Sequence, residues 1–307
     1  MHSCFRISAF LCQKEEIVNI MSSETSKLDD SGKIILDHIY NEPDPRAYYS
    51  TLKAYEYSIP EEAAPVFRNV IDAMRNRGQS DALSLIDLGC SYGVNAAILK
   101  HGLSMDDLYE RYSTTRMAGL DRDALISRDR EFYAENIADP DLEVTGVDIA
   151  DRAIGYAVET QMLDNGVAAN LETGPLPDAA AGSVGGADLI ISTGCIGYVK
   201  QPTLRKILDA SDGNEPWMAH FVLRMFPFEV FDTLFSEYGY VTETLPGTFR
   251  QRRFASDDEQ AHVLDNLAEL GIDPSGKEAD GWYHAEFHLS RPAAAAEAEP
   301  LETLFRH

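Results

Sequence analysis

From residue 82 onward the chain alternates short apolar runs with longer amphipathic stretches. ALSLIDLG (82–89) is apolar on both alternating sets of positions, the pattern of a strand covered on both faces. VNAAILKHG (94–102) follows as a helix. LEVTGVDIA (142–150) predicts a second strand, and DRAIGYAVETQMLDNG (151–166) its helix. A third strand and its exit are expected in VAANLETGPLP (167–177), and a fourth strand in GADLIISTGCIGYV (186–199). QPTLRKILDAS (201–211) reads as helix, PWMAHFVLRMF (216–226) as a fifth strand, and PFEVFDTLFSEYG (227–239) as another helix. YVTETLPGTFRQRRFA (240–255) and GWYHAEFHLSR (281–291) predict strands six and seven, with an inserted helix at 257–271. Strands separated by helices build a parallel sheet with helices on both faces. The last two strands break that rhythm and predict an antiparallel edge.

The remaining segments divide the chain. Residues 1–30 read as a disordered N-terminus, without the long apolar core of a signal peptide, and Met21 is a second candidate start. Residues 31–80 read as a helical lid. Pro43, Pro45 and Pro60 punctuate it, and 60–78 forms its strongest helix, acidic in the first turn and basic in the last. Residues 81–291 form the α/β domain, with a polar helical insertion at about 104–140. The segment 292–307 reads as a loose tail. No repeat is visible.

Composition narrows the partners. The chain has 307 residues, 44% of them hydrophobic, enough for a substantial core. With 51 acidic and 26 basic residues the formal charge is −25, a field that repels nucleic acid and anionic membranes. No apolar run approaches the roughly 18 residues of a membrane span. Cys4, Cys12, Cys90 and Cys195 form no metal-like cluster, which fits a reduced, cytoplasmic setting. An acidic protein that avoids polyanionic partners, and possible as a homodimer, is expected.

DLGCSYG (87–93) carries the chemistry. Gly89 and Gly93 sit where a strand turns into a helix, and glycine there admits positive φ and close ligand approach. A dinucleotide fingerprint needs G-x-G-x-x-G to bring amides onto a pyrophosphate. This loop is G-x-x-x-G and has a carboxylate, Asp87, at its mouth, which repels pyrophosphate and attracts an ammonium group. Acid-x-G-x-x-x-G after the first strand, TGVDIA at the second, and STGCIGY at the fourth resemble the class I S-adenosylmethionine-dependent methyltransferases over about 82–226. The resemblance implies a seven-stranded, mostly parallel Rossmann-like methyltransferase sheet with S-adenosyl-L-methionine as cofactor. It implies contacts to the amino-acid end of that cofactor from Asp87, Gly89, Cys90, Ser91 and Gly93. It makes Asp148 the acid that grips both ribose hydroxyls and Ile149 the residue packing on adenine. Two adjacent O–H donors match two carboxylate oxygens. Glu172 or Thr173 is expected at the adenine edge, and Thr193 under the cofactor. Gly93 and Asp148 lie more than 50 positions apart, wider than the family's usual spacing. The reading takes 104–140 as an insertion, with Asp121 as the fallback ribose acid.

The acceptor side is read from what remains. The fourth strand does not end in the N-P-P-Y-like motif of methyltransferases acting on exocyclic or amide nitrogen, and no metal site is expected. His101, His220, His284 and His288 read as structural, and His38 as a possible base. Tyr40, Tyr48, Tyr49, Tyr55 and Tyr57 crowd one stretch, and Tyr198 follows the fourth strand. Aromatic faces attract sulfonium and ammonium cations, so Tyr48, Tyr49, Tyr55, Tyr57 and Tyr198 are acceptor-pocket candidates. Arg46 and Arg224 are the candidates for an acceptor carboxylate. The expected activity is methyl transfer to an amino-acid-like metabolite at nitrogen or thioether sulfur, methionine-type S-methylation being one example. Small-molecule O-methylation, protein methylation and cofactor binding without turnover are the alternatives.

Overall fold

The computed structural model describes residues 28–29, 31–78, 81–211 and 213–305. Cys4, Cys12, Met21 and nearly all of the expected disordered N-terminus lie outside them. Seven strands form one sheet: β1 (Leu83–Leu88), β2 (Leu142–Asp148), β3 (Asn165–Ala168), β4 (Leu189–Thr193), β5 (Trp217–Leu223), β6 (Tyr240–Arg253) and β7 (Trp282–Pro292). Their spatial order is β3-β2-β1-β4-β5-β7-β6. The first five are parallel, and β7 runs antiparallel between β5 and β6. This is the mostly parallel α/β sheet with an antiparallel edge that the sequence predicts. The chain order reverses between β1 and β4, so the switch point lies where those strands end.

The strand period of two sorts the core. Leu83 and Leu85 of β1 pack into one apolar layer, Ile86 and Leu88 into the other. β5 does the same, with Trp217, Ala219, Phe221 and Leu223 on one side and Met218 and Val222 on the other. Both faces are covered, which is why the strands read as continuous apolar runs. The third strand starts earlier than expected, at Asn165, and ends at Ala168, leaving Asn170–Thr173 as a turn.

The lid comprises α1 (Asp37–Tyr40), α2 (Arg46–Ala54) and α3 (Ile59–Arg77). α3 starts with Pro60, Glu61 and Glu62 and ends with Arg75 and Arg77, as its pattern requires. After α4 (Val94–Leu99), the insertion folds as α5 (Met105–Ser113), α6 (Thr115–Ala118) and α7 (Arg122–Glu135). Fully buried Asp129 ties it together, accepting from Arg111 Nη2 at 2.6 Å, Tyr112 Oη at 2.8 Å and the Tyr156 hydroxyl. Asp121 caps α7 by accepting from Ala124 N at 2.9 Å, which removes it as a ribose acid.

The C-terminal segment is not loose. Leu301 and Leu304 are buried, and Leu301 N donates to Glu243 at 2.9 Å. The alternation of alanine and glutamate hides this, because the two anchoring leucines come late in the segment.

Candidate active site

A cavity of about 700 Å³ opens at the carboxyl ends of β1, β2 and β4 and is roofed by the lid. Its floor is the turn after β1. Gly89, Ser91 and Gly93 all have positive φ, at 71°, 49° and 79°. This left-handed run turns the loop sharply into α4. At Gly89 a Cβ would lie 2.6 Å from the Cβ of Cys195, so the loops after β1 and β4 meet with no room for a side chain.

Ser91 N donates to Asp148 Oδ2 at 2.8 Å, and Ala150 N donates to Oδ1 at 3.0 Å. The glycine loop and the end of β2 are thus joined despite the long insertion between them. Each carboxylate oxygen retains a second lone pair, and Asp148 lines the cavity. Beside it Ile149 is 71% exposed, a large apolar side chain left bare on the cavity wall. Ala169, Asn170 and Leu171 complete this end.

Asp87 lies behind the loop rather than on the wall. It is fully buried, its Oδ1 accepting from Asn95 Nδ2 at 2.8 Å and its Oδ2 without a partner. Burial pushes its carboxyl up to about 7, against the Asn95 hydrogen bond and with help from the Asp148 charge. Its influence on a ligand is that of a buried charge, not of a contact.

The other residues singled out from sequence divide cleanly. Gly89, Ser91, Asp148, Ile149, Glu172, Thr193, Tyr48, Tyr57 and Tyr198 line the cavity. Glu172 is already engaged, accepting from Lys200 N at 2.9 Å and from the Thr203 hydroxyl. Cys90 is buried against Gly146 and Gly93 against Met162 and Leu163, so both shape the loop without forming the wall. Thr173 points its amide to Asn170 and is not part of the wall.

Five acceptor candidates are corrected. Tyr49 is 1% exposed and stacks on Tyr112 at 4.7 Å between ring centroids, inside the lid–insertion core. Tyr55 packs beneath Arg252 and stays off the wall. His38 is exposed on α1, facing away from the lining. Arg46 pairs with Asp44 at 2.7 Å and donates to Met117 O and Leu120 O, clamping the lid to the insertion. Arg224 pairs with Glu278 at 2.6 Å and donates to Asp273 O. Arg46 is consumed by structural partners, and Arg224, although its Nε keeps no hydrogen-bond partner, is not part of the cavity wall. His101, His220, His284 and His288 are all buried, as expected of structural histidines.

Tyr40, the first of the tyrosine cluster, also lines the cavity, and the sequence reading missed Lys33, Asn170, Gln251 and Arg252, which line it too. Two signals were present: a lone lysine entering the apolar run KIIL, and three arginines within FRQRRF of a strand. Only β6 folding back over the lid reveals which arginine turns inward.

No family model matches this chain, and no curated protein matches it. Among solved structures it is similar to the plantazolicin methyltransferase BpumL in complex with SAH, at 12% identity and a TM-score of 0.40, over 91% of this chain and 98% of that one. It is also similar to magnesium protoporphyrin IX methyltransferase (ChlM) from Synechocystis PCC 6803 with bound SAM, at 9% identity and a TM-score of 0.35, over 75% and 80%. Likeness this loose carries no functional conclusion. The sheet order and the cavity at its switch point are those of the Rossmann-like methyltransferase fold expected from the sequence.

Proposed function

We propose that the protein is an S-adenosylmethionine-dependent methyltransferase acting on a small-molecule acceptor. The observation that carries this reading is the junction of the glycine loop with Asp148, beside bare Ile149. A carboxylate with both oxygens fixed by backbone amides, and lone pairs to spare, suits two adjacent ribose hydroxyls. An exposed aliphatic residue next to it suits the face of a flat base. A phosphate-bearing dinucleotide fits poorly, because the loop is G-x-x-x-G rather than G-x-G-x-x-G and the buried carboxyl of Asp87 lies behind it.

When bound, S-adenosylmethionine supplies an electrophilic methyl group on a sulfonium. The chain's own contribution is alignment and exclusion of water. Tyr48, Tyr57 and Tyr40 close the cavity from the lid, and Thr193, Gly194 and Cys195 close it from β4. No histidine lines the cavity, and we favour an acceptor that needs little base catalysis, an amine nitrogen or thioether sulfur of an amino-acid-like metabolite. The lid helices cover part of the cavity, which favours a small molecule over a protein.

Calorimetric titration with S-adenosylhomocysteine tests the cofactor: the expected result is a saturable site, and its absence refutes the reading. Incubation with methyl-labelled cofactor and a metabolite extract, then with cell protein, tests the acceptor. Label is expected in small molecules; label in macromolecules alone refutes the small-molecule assignment.

A further inference from the structure

One part of the cavity wall is built around a cation that the protein does not satisfy. Lys33 is 8% exposed and lines the cavity. Its Nζ lies 5.0 Å from the ring centroid of Tyr198 and 5.6 Å from that of Tyr283. Among the described residues no hydrogen-bond acceptor or ion-pair partner reaches that ammonium. The two nearby carboxylates are committed elsewhere. Asp29 accepts from Ser31, from Lys33's own backbone N and from Tyr198 Oη at 2.7 Å. Glu259 takes Arg252 Nη2 at 2.7 Å, Arg252 Nη1 at 3.0 Å, Ile34 N at 2.7 Å and Ala255 N at 2.6 Å.

Arg252 stands beside it, 4% exposed and also on the wall. Its hydrogen bonds to Glu259 and to Arg253 O use three of its five N–H donors. Gln251, on the same wall, keeps a buried side-chain oxygen with no partner. The Lys33 ammonium has no protein acceptor and faces the cavity, so an acceptor on a ligand can reach it. Desolvation, with repulsion from Arg252, lowers the Lys33 amine to about 8 against the attraction of Glu259 and Asp29. In a chain of net charge −25, two inward cations on one part of one cavity wall are a specific arrangement.

We propose that this part of the cavity binds the carboxylate of the methyl acceptor, with Lys33 as its principal contact and Arg252 behind it. The inference rests on the methyltransferase reading and narrows its substrate to an anionic, carboxylate-bearing small molecule. The unpartnered oxygen of Gln251 suits an N–H or O–H donor on the same molecule. It also relocates the carboxylate clamp, which the sequence suggested at Arg46 or Arg224, to cations that line the cavity.

The test uses the full chain, saturated with S-adenosylhomocysteine, in thermal-shift titrations with benzoate, 3-phenylpropionate and N-acetylglycine against their primary amides. Carboxylates are expected to raise the melting temperature and the amides to leave it unchanged. Lys33→Met is expected to weaken the carboxylate effect on the order of tenfold or more, as loss of a charge-assisted hydrogen bond does. Lys33→Arg, which keeps the charge, is expected to restore most of it and also controls for folding. Equal response to amides, or no response to any carboxylate by the loaded protein, overturns the proposal. So does a large loss of S-adenosylhomocysteine affinity in Lys33→Met, which assigns Lys33 to the cofactor's own carboxylate. Failure of S-adenosylhomocysteine to bind the unaltered protein refutes the methyltransferase reading itself and is seen before any carboxylate is added.

Discussion

The two ends of the cavity are made differently. At the Asp148 end the wall is largely backbone and strand termini: Gly89 and Ser91 in left-handed conformations, and a carboxylate pinned by two amides. At the Lys33 end the wall is side chains drawn from the lid, the turn after β4 and the far strand β6. A site made of turns at strand ends is fixed by the sheet and tolerates little change. A site made of side chains from three separate segments is free to vary without disturbing the sheet. In the proposed function the first end holds the donor and the second selects the acceptor.

The sharpest way to break that comparison is at Asp148. Asp148→Ala removes the proposed ribose clamp and the acceptor for Ser91 N together. Affinity for S-adenosylhomocysteine is expected to fall by roughly 3 kcal/mol or more, about a hundredfold, from lost charge-assisted hydrogen bonds. Calorimetry measures it, and retained affinity would place the ribose acid elsewhere. Gly89→Ala is expected to act on the fold as well as the ligand. The new Cβ meets Cys195 at 2.6 Å in a backbone conformation with φ of 71°. A loss of about 2–4 kcal/mol in denaturant unfolding is expected from strain plus overpacking. Adding Cys195→Gly should recover part of it, because the clash is with the Cys195 Cβ.

The same contrast explains what was legible in the sequence. Parallel strands buried on both faces announce themselves as apolar runs, so the sheet, its edge and the insertion could be read directly. Asp148 was legible because TGVDIA ends a strand and opens a helix, and the insertion displaces it in sequence only. Tyr49, Tyr55, Arg46 and Arg224 were misread because residue type and clustering do not say which way a helix faces. α2 turns Tyr48 to the cavity and Tyr49 to the insertion, one position apart. Lys33, Gln251 and Arg252 could not be joined into one site from the sequence because they meet only after β6 crosses back over the lid, more than 200 residues from Lys33.

Asp87 connects the donor end to pH. Its carboxyl is raised from an ordinary 3.8 to about 7 in the folded protein. Folding therefore favours its protonated form. That contribution is complete below the unfolded value and is lost as pH rises from about 4 through 7, on the order of 4 kcal/mol at most. The ligand-free protein should lose stability across that window, and Asp87→Asn should flatten the slope in thermal melts. A cationic ligand favours the ionised form, so donor affinity should rise between pH 6 and 8 in the unaltered protein. A pH-independent affinity would mean that Asp87 does not sense the ligand's charge.

The smallest expected effect separates neighbouring tyrosines. Tyr49 Oη is buried without a hydrogen-bond partner, while its ring stacks on Tyr112 and meets Tyr48 and Tyr109 edge-on. Tyr49→Phe keeps every ring contact and removes an unsatisfied hydroxyl, so stability should stay level or rise by up to about 1 kcal/mol. Ligand affinity should not change, because the residue is off the cavity wall. Tyr57→Phe makes the same chemical change on the wall, beside Thr193. Its effect should appear in acceptor turnover more than in stability. If instead Tyr49→Phe impairs turnover and Tyr57→Phe does not, the boundary between lid core and acceptor chamber drawn through α2 is misplaced.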